Sequence, residues 1–116
     1  MKITNLFKEL VATYRKHGWE LRAVLLQPET LADFQAEAAG LLEKVSVKEE
    51  SVNALWFSRP SSHDRDAWEL RLLAETQYAL FETFEADETE EQREEVRREM
   101  EARLREYVQG PQSHQS

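Results

Sequence analysis

Ser61-Ser62-His63-Asp64 is the one stretch that gathers a nucleophile, a base and an acid. A serine nucleophile works only where three side chains converge in space and a buried acid orients the base. Consecutive loop residues point in different directions, and no glycine-rich turn that could hold an oxyanion lies nearby. The four residues therefore read as a polar hairpin loop. His63, Asp64 and Asp66 could offer a metal one nitrogen and several oxygens. Their spacing matches neither the His-Glu-x-x-His helix nor the calcium loop of EF-hands. His17 and His114 have no ligand types around them. The chain has no cysteine, which excludes disulfides and thiolate metal sites.

Carboxylates are the other candidates: Glu69, Glu75, Glu82 and Glu85. A general acid needs a desolvating cleft that separates its pKa from that of a partner base. Most of these glutamates alternate with apolar residues and read as the solvent-facing half of a strand. Glu82 differs, because it shares parity with Tyr78, Leu80 and Phe84. That motivates one alternative, a small-ligand-binding protein or enzyme with a pocket between sheet and helices lined by Trp19, Trp68, Tyr78 and Glu82. Three glycines cannot build a phosphate cradle and also cap the helices. Trp56, Phe57 and Tyr78 have no basic groove beside them, so they read as core and not as a platform for bases. The sequence assigns no catalytic residue, no metal ligand and no cofactor.

The elements that must position these side chains follow from periodicity. Leu6, Phe7, Leu10, Val11 and Tyr14 make one apolar stripe, which predicts a helix over 4–17 with Thr4 or Asn5 at its start and Gly18 beyond its end. Residues 19–26 alternate as a strand. Pro28 opens a short second helix over 28–39 that Gly40 ends. Val45 and Val47 mark a short strand within 41–51. Residues 52–59 form a strand apolar on both faces at Leu55, Trp56 and Phe57. Residues 67–86 are too long for one ordinary strand and divide near Glu75-Thr76-Gln77, with a single bulged strand as the alternative. Thr89 and Gln92 fit a capping box for a last helix over 88–108. Glu94–Arg98, Glu99–Arg103 and Glu101–Arg105 are favourably ordered pairs along it, and Gly110-Pro111 stops it.

The expected fold is α+β, with a largely antiparallel sheet of four or five strands. An N-terminal helix, a short second helix and a long charged C-terminal helix pack mainly on one of its faces. The 116 residues form one domain over 1–109, followed by a disordered polar tail over 110–116.

Trp19-Glu20-Leu21-Arg22 recurs word for word as Trp68-Glu69-Leu70-Arg71. Strict alternation turns Trp19, Leu21, Trp68 and Leu70 toward the helices and Glu20, Arg22, Glu69 and Arg71 away from them. Val24, Leu26 and Leu73 share the parity of those charges, and one of Trp56 or Phe57 must also face outward. Apolar residues ringed by charge describe an association surface. The expected function is a small acidic protein-interaction module without catalytic activity. It would be an adaptor, chaperone-like or regulatory protein, homodimeric through a sheet face or edge. Glu20, Arg22, Phe57, Glu69, Arg71 and Leu73 are its contact residues. Alternatively, the last helix pairs with its symmetry mate along Val96, Met100 and Leu104.

Twenty-three acids against fifteen bases give a net charge of −8, which opposes nucleic acid and anionic membranes as partners. No run approaches the roughly 20 apolar residues of a membrane span, and no secretory h-region follows Met1, so a cytoplasmic location is expected. The order of elements is similar to that of small acidic secretion chaperones. That likeness implies a cofactor-free dimer whose partner is another protein or itself.

Overall fold

In the computed structural model, which describes residues 2–113, the first apolar stripe folds as α1 (Ile3–Lys16) and buries Phe7 and Val11. Its end is the one the sequence predicts. Gly18 takes a φ of 88°, its N–H donates to the carbonyl of Arg15, and the N–H of Trp19 donates to that of Tyr14, both at 3.0 Å. This is a Schellman pair, and its usual apolar contact is made by Trp19 against Tyr14, edge to face with centroids 6.0 Å apart. The start differs. The helix begins after Lys2 with no side-chain cap, and Thr4 is buried within it.

The chain continues as β1 (Glu20–Leu26), α2 (Pro28–Glu37), β2 (Ser46–Glu49), β3 (Ala54–Pro60), β4 (Asp66–Leu72), β5 (Ala79–Phe84) and α3 (Glu90–Ser113). The strands lie in the order β2-β1-β3-β4-β5. The fold is thus α+β with the expected three helices, and 67–86 is two strands. The sheet is mixed, because β2 runs parallel to β1 while every other pair is antiparallel. A parallel neighbour needs a crossover of a dozen or more residues, and α2 with the turn after it supplies one.

The helices divide between the faces. On one, Phe7, Val11 and Phe34 of α1 and α2 pack on Val24, Leu26, Leu55, Phe57 and Leu73. On the other, Met100 and Leu104 of α3 pack on Leu25, Trp56, Leu70 and Leu72. Two helices share one face, as expected, but the long third one covers the opposite face. The sheet therefore has two cores, and its central strands need apolar residues at both parities. This explains the runs Val24-Leu25-Leu26 and Leu55-Trp56-Phe57 without an external partner.

The capping box of α3 forms as predicted. The N–H of Thr89 donates to Gln92 Oε1 at 2.8 Å, and the N–H of Gln92 donates to Thr89 Oγ1 at 3.1 Å. The helix then runs through Gly110-Pro111 to Ser113, so residues 110–113, expected in a disordered tail, are helical. Residues 114–116, with His114, lie outside the described residues. Met100 and Leu104 are 3% and 0% exposed, so their stripe serves this chain's own sheet and is not free to pair with a symmetry mate. Of the expected ladder, Glu94–Arg98 closes at 3.8 Å. Glu101 and Arg105 turn to the sheet side instead: Trp56 Nε1 donates to Glu101 at 2.8 Å, and Arg105 meets Glu50 at 3.4 Å. Arg93 anchors the start of α3 by donating to Asp66 at 2.8 Å and to the carbonyl of Glu85 at 2.6 Å.

Ser61–Arg65 is the β3–β4 connection. His63 and Asp64 both have φ of 59°, and the N–H of Arg65 returns to the carbonyl of Ser62 at 3.2 Å. A positive-φ pair of this kind suits the twist of a hairpin. Ser61, Ser62, His63 and Asp64 are exposed, and Arg65 turns away to pair with Glu85 at 3.0 Å.

Candidate interaction surface

A bulge decides which residues share a face. The pairing of β1 with β3 shifts between Leu21 and Ala23, leaving Arg22 as the extra residue. In a bulge two residues oppose one. Arg22 Nε donates to Ser58 Oγ at 2.6 Å. Ser58 is opposite Trp68, which packs with the core under α3. Arg22 and Ala23 thus both lie on the α3 side, and the parity of β1 reverses across them. Leu21 packs under α1 together with Val24 and Leu26, where strict alternation separates them. The two copies of Trp-Glu-Leu-Arg consequently face opposite ways. Trp19 and Leu21 belong to the core under α1, while Trp68 and Leu70 belong to the core under α3.

The expected contact residues do not form one surface. Glu20 and Arg22 lie on the α3 side, where they pair at 3.3 Å. Glu69 and Arg71 lie on the α1 side. Phe57 is 0% and Leu73 3% exposed, so both are core residues that no partner reaches in the folded chain. The alternative ligand set is divided as well. Trp19 is on one face and Trp68 on the other, Tyr78 stacks on Tyr107 with centroids 3.6 Å apart, and Glu82 is exposed opposite Trp68. The four are not brought to one cavity.

The layers are offset, and that offset exposes a different surface. α1 rests against β1, and α3 rests against β4 and β5 on the other face. On the α1-side face, α1 reaches β4 at Tyr14, beside Glu69 and Arg71, and β5 beyond it is left open. This face presents Glu69, Arg71, Ala79, Phe81 and Thr83, with Trp19 and Arg59 at its margin. Phe81 is the most exposed large apolar side chain among the described residues, at 58%. Its ring ends a row that starts in the core: Phe57 is stacked on Tyr14 at 4.0 Å, Tyr14 meets Trp19 at 6.0 Å, and Trp19 meets Phe81 at 6.3 Å. Arg59 lies 5.0 Å over the Trp19 ring and donates to the carbonyl of His17 at 2.8 Å. Arg71 donates to the carbonyls of Leu72 and Ala74 at 2.9 and 3.3 Å. Among the described residues neither arginine has a carboxylate within 4 Å, so two guanidinium groups stand on this half-face without a close ion pair, alongside the Glu69 carboxylate that Tyr14 holds. Phe81 and Arg59 were missed in the sequence. The available signal was a phenylalanine between Ala79 and Thr83, at a parity otherwise small or polar.

Glu69 is held inward. Tyr14 Oη donates to its Oε2. Burial of the phenol, and next the carboxylate that accepts its proton, push the Tyr14 pKa well above the ordinary tyrosine value. The folded state therefore favours the protonated phenol. This contribution is fully present below the unfolded tyrosine pKa of about 10 and is lost as pH rises beyond it toward the folded value. Denaturant titrations at increasing pH are expected to show stability falling above about pH 10. Tyr14→Phe, with no proton to lose, removes part of that slope, and an unchanged slope would contradict the assignment.

β5 also has a free edge. It is six residues, Ala79–Phe84, paired with β4 without a register shift. It contains no proline or lysine, and its one charge is Glu82. Edge strands are ordinarily kept from pairing by shortness, lysine, proline or bulges. The opposite edge, β2, is guarded in that way: it has four residues, of which Lys48 and Glu49 are charged and exposed.

An open cleft of about 800 Å³ lies between the β4–β5 turn and the far end of α3, where Tyr78 is joined by Arg103 and Tyr107 but by none of Trp19, Trp68 and Glu82. An α3-side cleft of about 240 Å³ includes Arg22, Arg97 and Arg98, but each pairs with a glutamate: Glu20, Glu90 and Glu94 respectively. Arg97 also lies 4.5 Å over Trp68. Tyr107 and Val108 are exposed near the far end of α3, with Tyr107 covered on one side by Tyr78. Among the described residues no group of three or more His, Asp or Glu side chains could hold a metal ion, and no helix is long and apolar enough to cross a membrane. Comparison with family models, with curated proteins and with solved structures finds no match for this chain.

Proposed function

We propose that this chain is a small acidic, cytoplasmic protein-interaction module, an adaptor or chaperone-like protein without catalytic activity that works as a homodimer. The observation that carries the reading is the open α1-side face of β5, with Phe81 exposed at 58% on an unguarded edge strand. An aromatic ring held on a rigid sheet costs little side-chain entropy to dock, and tyrosine, tryptophan, phenylalanine and arginine are the residue types enriched in contact patches. Trp19, Phe81, Arg59 and Arg71 supply that mixture in one place. Of the contact residues expected from sequence, Glu69 and Arg71 remain in the proposal, and Phe57 and Leu73 do not. The net charge of −8 disfavours nucleic acid and anionic membranes as alternative partners. Sedimentation velocity over a concentration series tests the reading. A shift from monomer to dimer by tens of micromolar is expected, and a monomer throughout would remove the homodimer.

A further inference from the structure

We infer that the second copy adds edge to edge, with β5 antiparallel to its own symmetry mate and Phe81 on the two-fold axis, giving one continuous ten-stranded sheet. The inference rests on the dimer proposed above and specifies its geometry. A two-fold axis normal to the sheet keeps each face continuous across both copies, so some residue of β5 must pair with its own counterpart. Four registers pair three or more residues of the strand, and the one centred on Thr83 reaches only Glu82 to Phe84 before it runs into the turn after the strand. Centring on Glu82 sets like charges directly opposite each other, which is destabilising. Centring on Leu80 carries the pairing into the turn before Ala79, leaving only Ala79 to Phe81 to pair within the strand. Centring on Phe81 pairs five strand residues, sets Leu80 against the stem of the partner's Glu82, and sets small Ala79 against the partner's Thr83.

The same register is complementary in charge. Beyond Thr83 each strand leads to Glu85, two residues past the point where the partner's Ala79 lies, and Ala79 is paired with Arg71. Strand spacing and rise place Glu85 about 12 Å from the partner's Arg71, Cα to Cα, within the combined reach of the two side chains. Glu85 already pairs with Arg65 of its own chain at 3.0 Å, so its carboxylate is shared between that arginine and the partner's Arg71, which has no carboxylate within 4 Å among the described residues, and the symmetry makes this contact twice. The two exposed Phe81 rings meet at the axis and shield each other from water. On the α3 side each helix rests on β4 and β5 of its own chain, with Arg93 and Arg97 5.6 and 5.9 Å over Phe84 at the end of β5, so the two helices flank the join.

Cysteine cross-linking tests the register cleanly, because the chain has no cysteine of its own. Residues directly opposite in an antiparallel pair have Cα atoms about 4.5–5.5 Å apart, inside the range a disulfide spans. Ala79→Cys and Thr83→Cys chains are prepared separately, then mixed and oxidised at tens of micromolar. The mixture is expected to give a covalent dimer, and either chain alone is expected to give none, since each cysteine then faces a residue that is not cysteine. A mixture that sediments as a dimer but does not cross-link overturns the edge pairing and leaves the proposed dimer standing. Equal cross-linking by either chain alone overturns the register. A mixture that stays monomeric overturns both.

Discussion

Phe57→Ala is expected to lower the unfolding free energy by about 3–5 kcal/mol, the range for truncating a buried phenylalanine. Phe57 sits on the central strand, 0% exposed, between Leu21 of β1 and Glu69 of β4 in register. Its ring is parallel to that of Tyr14 with centroids 4.0 Å apart. Both neighbouring strands are pinned by backbone pairing, and Tyr14 is tied to Glu69, so little can collapse into the space left behind. The cost should therefore fall toward the upper part of the range, a large fraction of the roughly 5–15 kcal/mol available to a domain. Denaturant unfolding followed by tryptophan fluorescence measures it. A loss below about 1 kcal/mol, typical of surface positions, would place Phe57 at the surface and contradict the core under α1.

Phe81→Lys is expected to do the opposite, abolishing association while leaving stability nearly unchanged. Phe81 is exposed, so its replacement should cost the monomer no more than about 0.5 kcal/mol. In the dimer two rings lose their cover, each 58% exposed in the single chain, at about 1–2 kcal/mol apiece, the corresponding share of the value for a phenylalanine buried outright. Two lysines also meet at the axis, on the kind of edge where lysine ordinarily prevents pairing. Even the low end of the apolar loss alone weakens the dimer by more than about tenfold, and the facing lysines add to it. Val108→Lys removes the exposed apolar residue at the far end of α3 and is expected to leave association intact. If Val108→Lys dissociates the dimer and Phe81→Lys does not, the contact lies at α3 and not at the sheet edge.

Much of the fold could be read from local chemistry. The end of α1 at Gly18, the start of α2 at Pro28 and the capping box at Thr89 and Gln92 each rest on a residue whose conformation or hydrogen bonding leaves few choices. The sheet faces could not be read as safely. Parity arguments assume an unbroken period of two, and the bulge at Arg22 breaks it with no glycine to announce it. One extra residue reverses every later side chain on the strand. That reversal is why two identical tetrapeptides face opposite sides, and why Glu20 and Arg22 are separated from Glu69 and Arg71. The second obstacle was the placement of α3. Its charged sequence leaves only Val96, Met100 and Leu104 to reveal a buried stripe. With that helix assigned to the same face as the others, Val24, Leu26 and Leu73 looked like contact residues when they are core. The proposed surface was accordingly displaced from where sequence put it. The charged half of the repeated phrase pointed to β4, and Glu69 and Arg71 do border the open half-face. Phe81, its most prominent residue, depends on which strand lies at the edge, and that order is set by long-range pairing that no local pattern specifies.

Residue-resolved hydrogen exchange at two protein concentrations tests the proposed contact most directly. The outward-facing amides of β5 between Ala79 and Thr83 have no partner strand in the single chain, and an added strand would protect them. Exchange at those amides is expected to slow markedly between sub-micromolar and tens of micromolar protein, while that of β2 at the opposite edge stays the same. Equal exchange of β5 at both concentrations, in a sample that sediments as a dimer at the higher one, would show that association occurs elsewhere.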